Sequence, residues 1–343
     1  MVYSFQNDYS EGACKEVLEA LIKTNYEQNV GYGLDKHCLN ATKLIKKAIK
    51  HDDVDIHYVT GGTPCNVLAI SLLRAHEAVI CCTNGHINTH ETGAVEATGH
   101  KIIQTKAHDG KVCAKDIEEV VKNHPDEHMV KPKMVFISNP SEYGTIYSKK
   151  ELKEISKVCK KNGLYLYLDG ARLGACLASK ENDLTLKDIC NLTDMFYIGG
   201  TKNGALLGEA MVIKNNDLKQ DFRYFLKQKC SMLAKSKVIG TEFEALFTDD
   251  VYLKNAKNAV ETAQALKAVF TKHKIKQFID SSTNQIFPII DNDLYKKISK
   301  KYLTEVWGKY DEHSQIIRFV CSWYTPMEVI DKFDKDLTEM LKK

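Results

Sequence analysis

A lysine lies among small residues at the end of an apolar run, in the stretch "DMFYIGGTKNGALLGEA", residues 194–210. The apolar run Met195–Ile198 leads through two glycines and Thr201 to Lys202. A lysine is costly to bury as a cation unless it is paired, and glycines let backbone and ligand approach closely. Lys202 is therefore either a solvated loop lysine or a lysine whose nitrogen is bonded to a ligand. A Schiff-base lysine beside a phosphate-holding hydroxyl fits the second interpretation.

A second stretch, "TGGTPCN" at residues 60–66, has the composition of an anion-binding turn. It follows a predicted strand, its glycines permit a tight turn, and Thr63 and Pro64 are typical of a helix N-cap and first turn. The free N–H groups of such a helix start attract phosphate. The alternative is a plain strand-to-helix connection.

A third stretch, "YLDGAR" at residues 167–172, places Asp169 directly after an apolar strand. Asp169 is either a loop or helix-cap residue, or a buried partner for a cationic ligand atom. Arg172, three residues later, can hold a carboxylate with two parallel hydrogen bonds.

A fourth stretch, "GHINTHETGA" at residues 85–94, contains His86 and His90, four positions apart. The metalloprotease order H-E-x-x-H is absent, and so are the P-loop and the G-x-G-x-x-G dinucleotide motif. We therefore predict no metal here, and either a ring-stacking or general-base role for a histidine or a plain surface role.

Composition narrows the classes of protein further. The formal net charge is +3, and the basic residues are spread along the chain, so we expect no nucleic-acid partner. The 11 cysteines are irregularly spaced without a C-x-x-C pair, which favours free thiols in a reducing compartment. The chain starts without a signal-peptide pattern and has no membrane-length apolar run, so we expect a cytoplasmic protein.

The elements that must position these stretches alternate between strand and helix, which predicts a mainly parallel sheet covered by helices. The predicted strands of this region are Asp55–Thr60, Ala78–Cys82, Lys133–Ser138, Leu164–Leu168, Met195–Ile198 and Ala210–Ile213. The predicted helices are Asn40–Lys50, Pro64–His76, Thr92–Gly99 and Lys149–Asn162. The carboxyl ends of parallel strands form a common ligand-binding edge, and the four stretches fall there.

The pattern changes after residue 215, where helices dominate and then give way to a small α+β region. The predicted elements are a largely helical Leu218–Leu246, the helix Tyr252–His273, the strands Gln285–Ile290 and Gln315–Ser322, and the helix Pro326–Leu341. We predict an N-terminal arm (residues 1–30), a large domain (31–248) and a small C-terminal domain (249–343).

Seven stretches in order make the chain resemble the L-threonine aldolase group (low-specificity type) of the β-eliminating lyase family. They are "NDYSEGA", "GYGLD", "TGGTPCN", "HINTHETGA", "LDGARL", "GGTKNGA" and "RFVCSW". The resemblance spans almost the whole chain and implies the fold-type-I architecture of pyridoxal 5′-phosphate (PLP) enzymes, an α/β fold with a mainly parallel seven-stranded sheet covered by helices and a small α+β C-terminal domain. It also implies a homodimer or homotetramer with active sites at the dimer interface. The implied reaction is retro-aldol cleavage of L-threonine or L-allo-threonine to glycine and acetaldehyde.

The resemblance also implies roles for individual residues. Lys202 would bind PLP covalently, Asp169 would pair with its pyridine nitrogen, and His86 would stack on its ring or act as the base. The cofactor's phosphate would be bound by Gly62, Thr63 and Thr201. Arg172 would contact both the cofactor and the substrate carboxylate, and the substrate would also contact Arg318 and Asn7.

Two departures from the family pattern leave the substrate open. Many members carry a histidine after the strand that corresponds to Lys133–Ser138, where this chain reads "NPSEYGT", residues 139–145. Residues 230–233, "CSML", also differ from a stretch that contributes phosphate contacts across subunits in many members. The alternatives are a β-eliminating lyase, an aldolase for bulkier β-hydroxy amino acids and, in another class, a non-enzymatic ligand-binding protein of this fold.

Overall fold

The computed structural model describes residues 2–342; Met1 and Lys343, the outermost residues of the predicted arm and C-terminal domain, lie outside the described residues. The strands are β1 (Tyr3–Ser4), β2 (Asp55–Val59), β3 (Glu77–Cys82), β4 (Lys101–Thr105), β5 (Lys131–Ser138), β6 (Tyr165–Asp169), β7 (Met195–Gly199), β8 (Glu209–Ile213), β9 (Gln285–Ile286), β10 (Ile289–Asp291), β11 (Tyr302–Leu303), β12 (Glu305–Lys309) and β13 (Ser314–Val320). The helices are α1 (Lys15–Thr24), α2 (Lys36–Ile49), α3 (Gly62–Ser71), α4 (His86–Thr89), α5 (Ala114–Lys122), α6 (Lys149–Lys161), α7 (Leu173–Ala178), α8 (Leu186–Leu192), α9 (Asn216–Lys219), α10 (Phe222–Gln228), α11 (Lys237–Leu246), α12 (Val251–Lys272), α13 (Asn292–Ile298) and α14 (Met327–Met340).

The central sheet has seven strands in the order β2-β8-β7-β6-β5-β3-β4, and β8 alone of these runs antiparallel to its neighbours. Helices cover both faces, so the central strands are mostly apolar and largely buried on both faces. In β7, Met195 and Tyr197 belong to one buried cluster while Phe196 and Ile198 belong to the cluster on the opposite face. The predicted fold class, an α/β protein with a mainly parallel seven-stranded sheet, is confirmed.

The carboxyl ends of the parallel strands bring the four sequence stretches to one edge of this sheet. Strand β2 ends before Thr60, β3 ends shortly before His86, β6 ends at Asp169, and β7 ends shortly before Lys202. Ligands bind at this edge in open α/β sheets because the connecting loops are free to diverge there.

The C-terminal region holds more strands than the two predicted. Strands β9, β10, β12 and β13 form one antiparallel sheet, and β1 pairs with β11 in a separate two-stranded sheet. Strand β12 and helix α13 were missed because Glu305–Lys309 is only partly buried and lacks a clean alternation of apolar and polar residues. Phe5, from the N-terminal arm, is fully buried in this region's core against Tyr302 and Phe319.

Four helix predictions were wrong in extent. Helix α2 begins at Lys36 rather than at Asn40. The predicted helix Thr92–Gly99 is only a 3₁₀ turn at Glu96–Thr98, because Thr92 and Gly93 adopt left-handed backbone conformations with φ of 53° and 72°. Helix α3 ends at Ser71 rather than His76. The predicted Leu218–Leu246 is split into α9, α10 and α11, with left-handed residues at Asp221 and Cys230.

Strand β4 and helix α5 were also missed, because β4 lies at the sheet edge, where only Ile103 and Thr105 are buried.

All 11 cysteines lie in the described part of the chain as free thiols, nine of them buried. Of the helices within residues 2–342, none combines the length and apolar character that crossing a bilayer requires.

Candidate active site

Two adjoining cavities open at the carboxyl edge of the central sheet. The inner cavity, of about 220 Å³, is lined by the start of α3 and by Asp169, Tyr197 and Thr201. The outer cavity, of about 320 Å³, is lined by the N-terminal arm and by the C-terminal sheet. Four residues line both cavities, and we call them the junction: His86, Glu142, Arg172 and Lys202. A ligand that spans the two cavities must pass these four side chains.

Lys202 is held at the junction by the loop after β7. Burial, and next the charge of Arg172, lowers the pKa of its amine, against the opposing effect of nearby carboxylates. A lowered pKa increases the share of neutral amine, the form that attacks a carbonyl carbon. Its Nζ lies 5.9 Å from the centre of the Tyr9 ring, at the outer cavity.

Asp169, at the end of β6, is a buried carboxylate with its hydrogen bonds satisfied by neutral donors. Its Oδ1 accepts from the Tyr197 hydroxyl at 2.5 Å and from the Ala171 N–H at 3.0 Å. Its Oδ2 accepts from the Asn66 amide at 3.2 Å. Since no cationic side chain bonds to it in the described structure, its negative charge is left for a cationic ligand atom in the inner cavity.

His86 is oriented by a carboxylate behind it. Its Nδ1 lies 2.7 Å from Oε1 of the buried Glu91, which also accepts from Asn66 at 2.6 Å. Burial lowers the pKa of His86, but the hydrogen bond to Glu91 and the charge of Asp169 outweigh it and raise that pKa overall. His90, the second histidine of the stretch, lies 5.5 Å from the His86 ring and lines only the outer cavity.

The start of α3 forms the far wall of the inner cavity. The helix begins at Gly62 after the N-cap Gly61, so Thr63 is not the N-cap as predicted, and Pro64 is the third helical residue. A Cβ built on Gly62 would lie 2.8 Å from the Tyr197 hydroxyl oxygen, so only glycine leaves this wall open. Thr60, Thr63 and Thr201 place hydroxyl groups on the same cavity, beside the unpaired N–H groups of the first helical turn.

Arg172 is fixed by an ion pair that the sequence did not reveal. Its Nε and Nη2 donate to the two carboxylate oxygens of Asp8 at 2.7 and 3.0 Å, and Asn284 donates to Asp8 at 2.9 Å. Although burial raises the pKa of Asp8, the Arg172 charge and hydrogen bond hold it below its ordinary value. This ion pair fixes the Arg172 guanidinium at the junction, and Asp8 accepts no hydrogen bond from the Nη1 group of Arg172.

Arg318 and Asn7 face the outer cavity. Arg318 is paired with Glu305 and lies 5.0 Å from the Trp307 ring, and its buried Nε has no partner among the described residues. Asn7 uses its Oδ1 to accept from the Tyr9 N–H at 3.0 Å and the Ser10 hydroxyl at 2.9 Å. Each keeps at least one N–H donor for a ligand.

The structure brings all of the predicted site residues to the two cavities and adds others that the sequence analysis missed. The missed residues are Asp8, Asn66, Glu91, Glu142, Tyr197, Glu209 and Trp307. Asn66 and Glu91 lie inside the quoted stretches, and Asp8 follows Asn7, so their positions were a usable signal. Tyr197 and Glu209 also lie in the opening stretch, residues 194–210, and Glu142 lies in residues 139–145. Burial raises the pKa of Glu209 to about 7, and its carboxylate accepts from the Gly200 N–H at 2.7 Å.

Two other features lie away from the junction. His108, Cys113 and Asp116 form a group of potential metal ligands at the start of α5, and His108 Nε2 is 2.7 Å from Asp116 Oδ2. They line a separate cavity, and the prediction of no metal stays a prediction. The divergent stretch 230–233 also lies elsewhere, with three of its residues lining a cavity beside Tyr32 and Arg223.

The inner cavity fits PLP by the chemistry of its donors. The helix start and three hydroxyl groups suit the phosphate, the uncompensated Asp169 charge suits the pyridine nitrogen, and Lys202 with its lowered pKa suits the aldehyde. Fold and site together define a fold-type-I PLP-dependent enzyme. The chain belongs to the β-eliminating lyase family, whose sequence model matches residues 5–293.

Comparison with known proteins supports the assignment to this class of enzyme. The chain is 30% identical to the low specificity L-threonine aldolase of Pseudomonas sp. (strain NCIMB 10558), over 98% of this chain and 97% of that protein. It superposes on a threonine aldolase structure from Leishmania major with a TM-score of 0.98 and 42% identity, covering 99% of this chain and 100% of the other. A histidinol-phosphate aminotransferase from Clostridium acetobutylicum, at 14% identity and a TM-score of 0.75, covers 98% of each chain and shares the fold.

Proposed function

We propose that the protein is a PLP-dependent carbon–carbon lyase that cleaves L-threonine and L-allo-threonine to glycine and acetaldehyde. The observation that carries the proposal is the junction, where an amine with a lowered pKa, a fixed guanidinium, a histidine and a carboxyl group face one ligand position. The two threonine aldolases to which the chain is similar support this choice of substrate.

We assign the cofactor contacts to the inner cavity. Lys202 would hold PLP covalently, Gly62, Thr63 and Thr201 would bind its phosphate, His86 would stack on its ring, and Asp169 would keep its pyridine nitrogen protonated. When bound, PLP accepts the electron pair that is left when a bond to the substrate's Cα breaks.

We assign substrate orientation to the outer cavity. Arg172 and Arg318 would bind the amino acid's carboxylate, with Asn7 beside them, so that the amino group lies at Lys202 and the β-carbon at the junction. Holding the carboxylate in one place fixes which bond to Cα is aligned for cleavage, and such positioning supplies a large part of catalysis.

The first experiment is to incubate the cofactor-loaded protein with L-threonine and with L-allo-threonine. We expect acetaldehyde, measured by coupled reduction, together with an equal amount of glycine, and the rate ratio gives the preference between the two isomers. Pyruvate and ammonia from a different β-substituted amino acid would overturn the aldolase proposal in favour of β-elimination. A protein that stays colourless with added PLP would overturn the cofactor assignment as well.

We expect Asp8→Asn to weaken substrate binding more than turnover. The change keeps the size of the side chain but removes the charge that holds Arg172, and hydrogen bonds to charged groups contribute about 1.5–3 kcal/mol. KM for threonine should therefore rise roughly 10- to 100-fold with a smaller change in kcat. The matched control is Asp53→Asn, which removes the exposed carboxylate that pairs with Lys219 away from the site and should leave KM unchanged. An unchanged KM in Asp8→Asn would contradict the role given to Arg172.

We further propose a homodimer or homotetramer with its active sites at the dimer interface, acting in the cytoplasm. Large exposed apolar side chains on and after α1 support self-association, since Ile22, Tyr26 and Val30 expose 75%, 95% and 66% of their surface. Sedimentation equilibrium should give two or four times the mass of one chain.

The division into an arm (1–30), a large domain (31–248) and a small domain (249–343) also remains our proposal.

A further inference from the structure

We propose that Glu142 is the general base that takes the proton from the substrate's β-hydroxyl group, in the segment where many family members carry a histidine. The assignment rests on the proposed function. In the step, the substrate O–H bond breaks and its proton bonds to the Glu142 carboxylate. The Cα–Cβ bond breaks as the carbonyl group of the aldehyde forms, and the electron pair of that bond stays on Cα, which later takes a proton to give glycine.

Position is the first argument. Glu142 lies in the loop after β5, is 8% exposed, and lines both cavities, whereas Asp169 lines only the inner one and Glu305 only the outer one. A substrate held by its carboxylate at Arg172 and by its amino end at Lys202 places its β-carbon at the junction. Among the described residues, Glu142 supplies the carboxyl group at that place.

The hydrogen bonds of Glu142 are the second argument. Its Oε1 accepts from the His86 N–H at 2.9 Å and from the Ser138 hydroxyl at 2.8 Å, which fixes the carboxyl group and leaves Oε2 for a ligand. The other buried carboxylates at the site have partners on their carboxylate oxygens: Asp8 has Arg172, Glu91 has His86, Glu209 has the Gly200 N–H, and both oxygens of Asp169 accept hydrogen bonds.

The local charges are the third argument. Burial, together with the charge of Asp169, raises the pKa of Glu142, whereas the Ser138 hydroxyl and the charge of His86 oppose the rise. A carboxylate with a raised pKa is a stronger base than an ordinary one. The other titratable groups near it are Arg172 and Lys202 at the junction and the buried Cys81 and Tyr147.

The pH dependence follows with a defined sign. The base must be ionised, so cleavage falls as the pH falls through the pKa of Glu142, which lies above the ordinary value of 4.5. Ser138→Ala removes a hydroxyl that stabilises the ionised form, so it should raise that pKa and move the acid limb of the pH–rate profile to higher pH. Glu142→Gln should remove this limb altogether.

The experiment uses the cofactor-loaded full chain as wild type, Glu142→Gln and Glu142→Asp. Glutamine keeps an oxygen to accept from the His86 N–H and the Ser138 hydroxyl, so the fold and cofactor content should be retained. We expect threonine cleavage by Glu142→Gln to fall by about 10²–10⁴-fold, with partial recovery in Glu142→Asp. Glycine has no β-hydroxyl group, so its affinity, from a visible absorption titration, and its α-proton exchange in deuterium oxide, followed by NMR, should stay within about twofold of wild type.

Each outcome decides the assignment. Loss of cleavage with normal glycine affinity and exchange supports a role confined to the β-hydroxyl group. Normal cleavage by Glu142→Gln overturns it and leaves the base to His86 or His90. Parallel loss of cleavage, glycine affinity and exchange overturns it in favour of a structural role. A wild-type protein that exchanges glycine protons but cleaves neither threonine isomer overturns the proposed function, which is a distinct result from failure of Glu142 alone.

Discussion

Replacing Lys202 by alanine should abolish covalent attachment of PLP and lower threonine cleavage by at least about 10³-fold. The side chain is the amine at the junction of the two cavities, and its lowered pKa makes it the nucleophile available to the cofactor's aldehyde. The measurement is the visible absorption of the purified protein before and after borohydride reduction, together with single-turnover kinetics.

Two controls separate the chemistry of Lys202 from its charge. Lys202→Arg keeps a cation of similar length but cannot form the link, so it should be as inactive as Lys202→Ala. Lys214→Ala removes a lysine just beyond β8 whose Nζ bonds only to the Asn191 carbonyl, and it should behave as wild type. If borohydride still fixed the cofactor to the Lys202→Ala protein with normal turnover, another lysine would carry the link.

The second large effect is expected from Asp169→Asn. Asparagine keeps the shape and can still accept from the Tyr197 hydroxyl and the Ala171 N–H, so cofactor binding should survive. The change removes a buried negative charge at the inner cavity to which no cationic side chain of the described residues bonds. Loss of a preorganised electrostatic partner of this kind lowers kcat by about 10²–10³-fold.

The matched control for this prediction is Tyr197→Phe. It removes one hydrogen bond to Asp169 but keeps the charge, so the loss in kcat should be at most about 10- to 100-fold, because a hydrogen bond to a charged group contributes about 1.5–3 kcal/mol. Cofactor content and threonine kinetics are measured for both variants. An Asp169→Asn protein as active as Tyr197→Phe would show that position, and not charge, is what Asp169 supplies.

The sequence was informative about the sheet because burial on both faces leaves a strong local signal. Strands β3, β7 and β8 are buried throughout and mostly apolar, and Gly62, His86, Asp169 and Lys202 lie at or just after the ends of β2, β3, β6 and β7. Strand and helix alternation then implies a parallel sheet, and a parallel sheet places these strand ends on one edge. The prediction that these residues lie at one edge therefore needed only local pattern and chain order, whereas their contacts with the cofactor were implied by the family resemblance.

The local sequence pattern predicted the secondary structure less well where the backbone conformation of a single residue interrupts a helix, and where a strand is half exposed. Left-handed backbone conformations at Thr92, Asp221 and Cys230 interrupt segments whose composition is compatible with a helix. The identity of these three residues did not predict where the helices end. Strand β12 is partly buried or exposed at every position, so its pairing with β13, including a register shift between Val306 and Gly308, depends on contacts distant in sequence.

The sequence by itself determined the sheet and its ligand-binding edge, and its family resemblance implied which residues would bind a phosphate, a pyridine nitrogen and an aldehyde. Only the tertiary structure decided how those residues are held and what else joins them. Asp8 reaches Arg172 across 164 positions of the chain, and Glu142 is buried beside His86 because two separate loops meet above the sheet. Such pairs join residues that are far apart in the sequence, so no local sequence pattern predicts them. The pKa values of these groups shift only when folding buries the groups and brings them together.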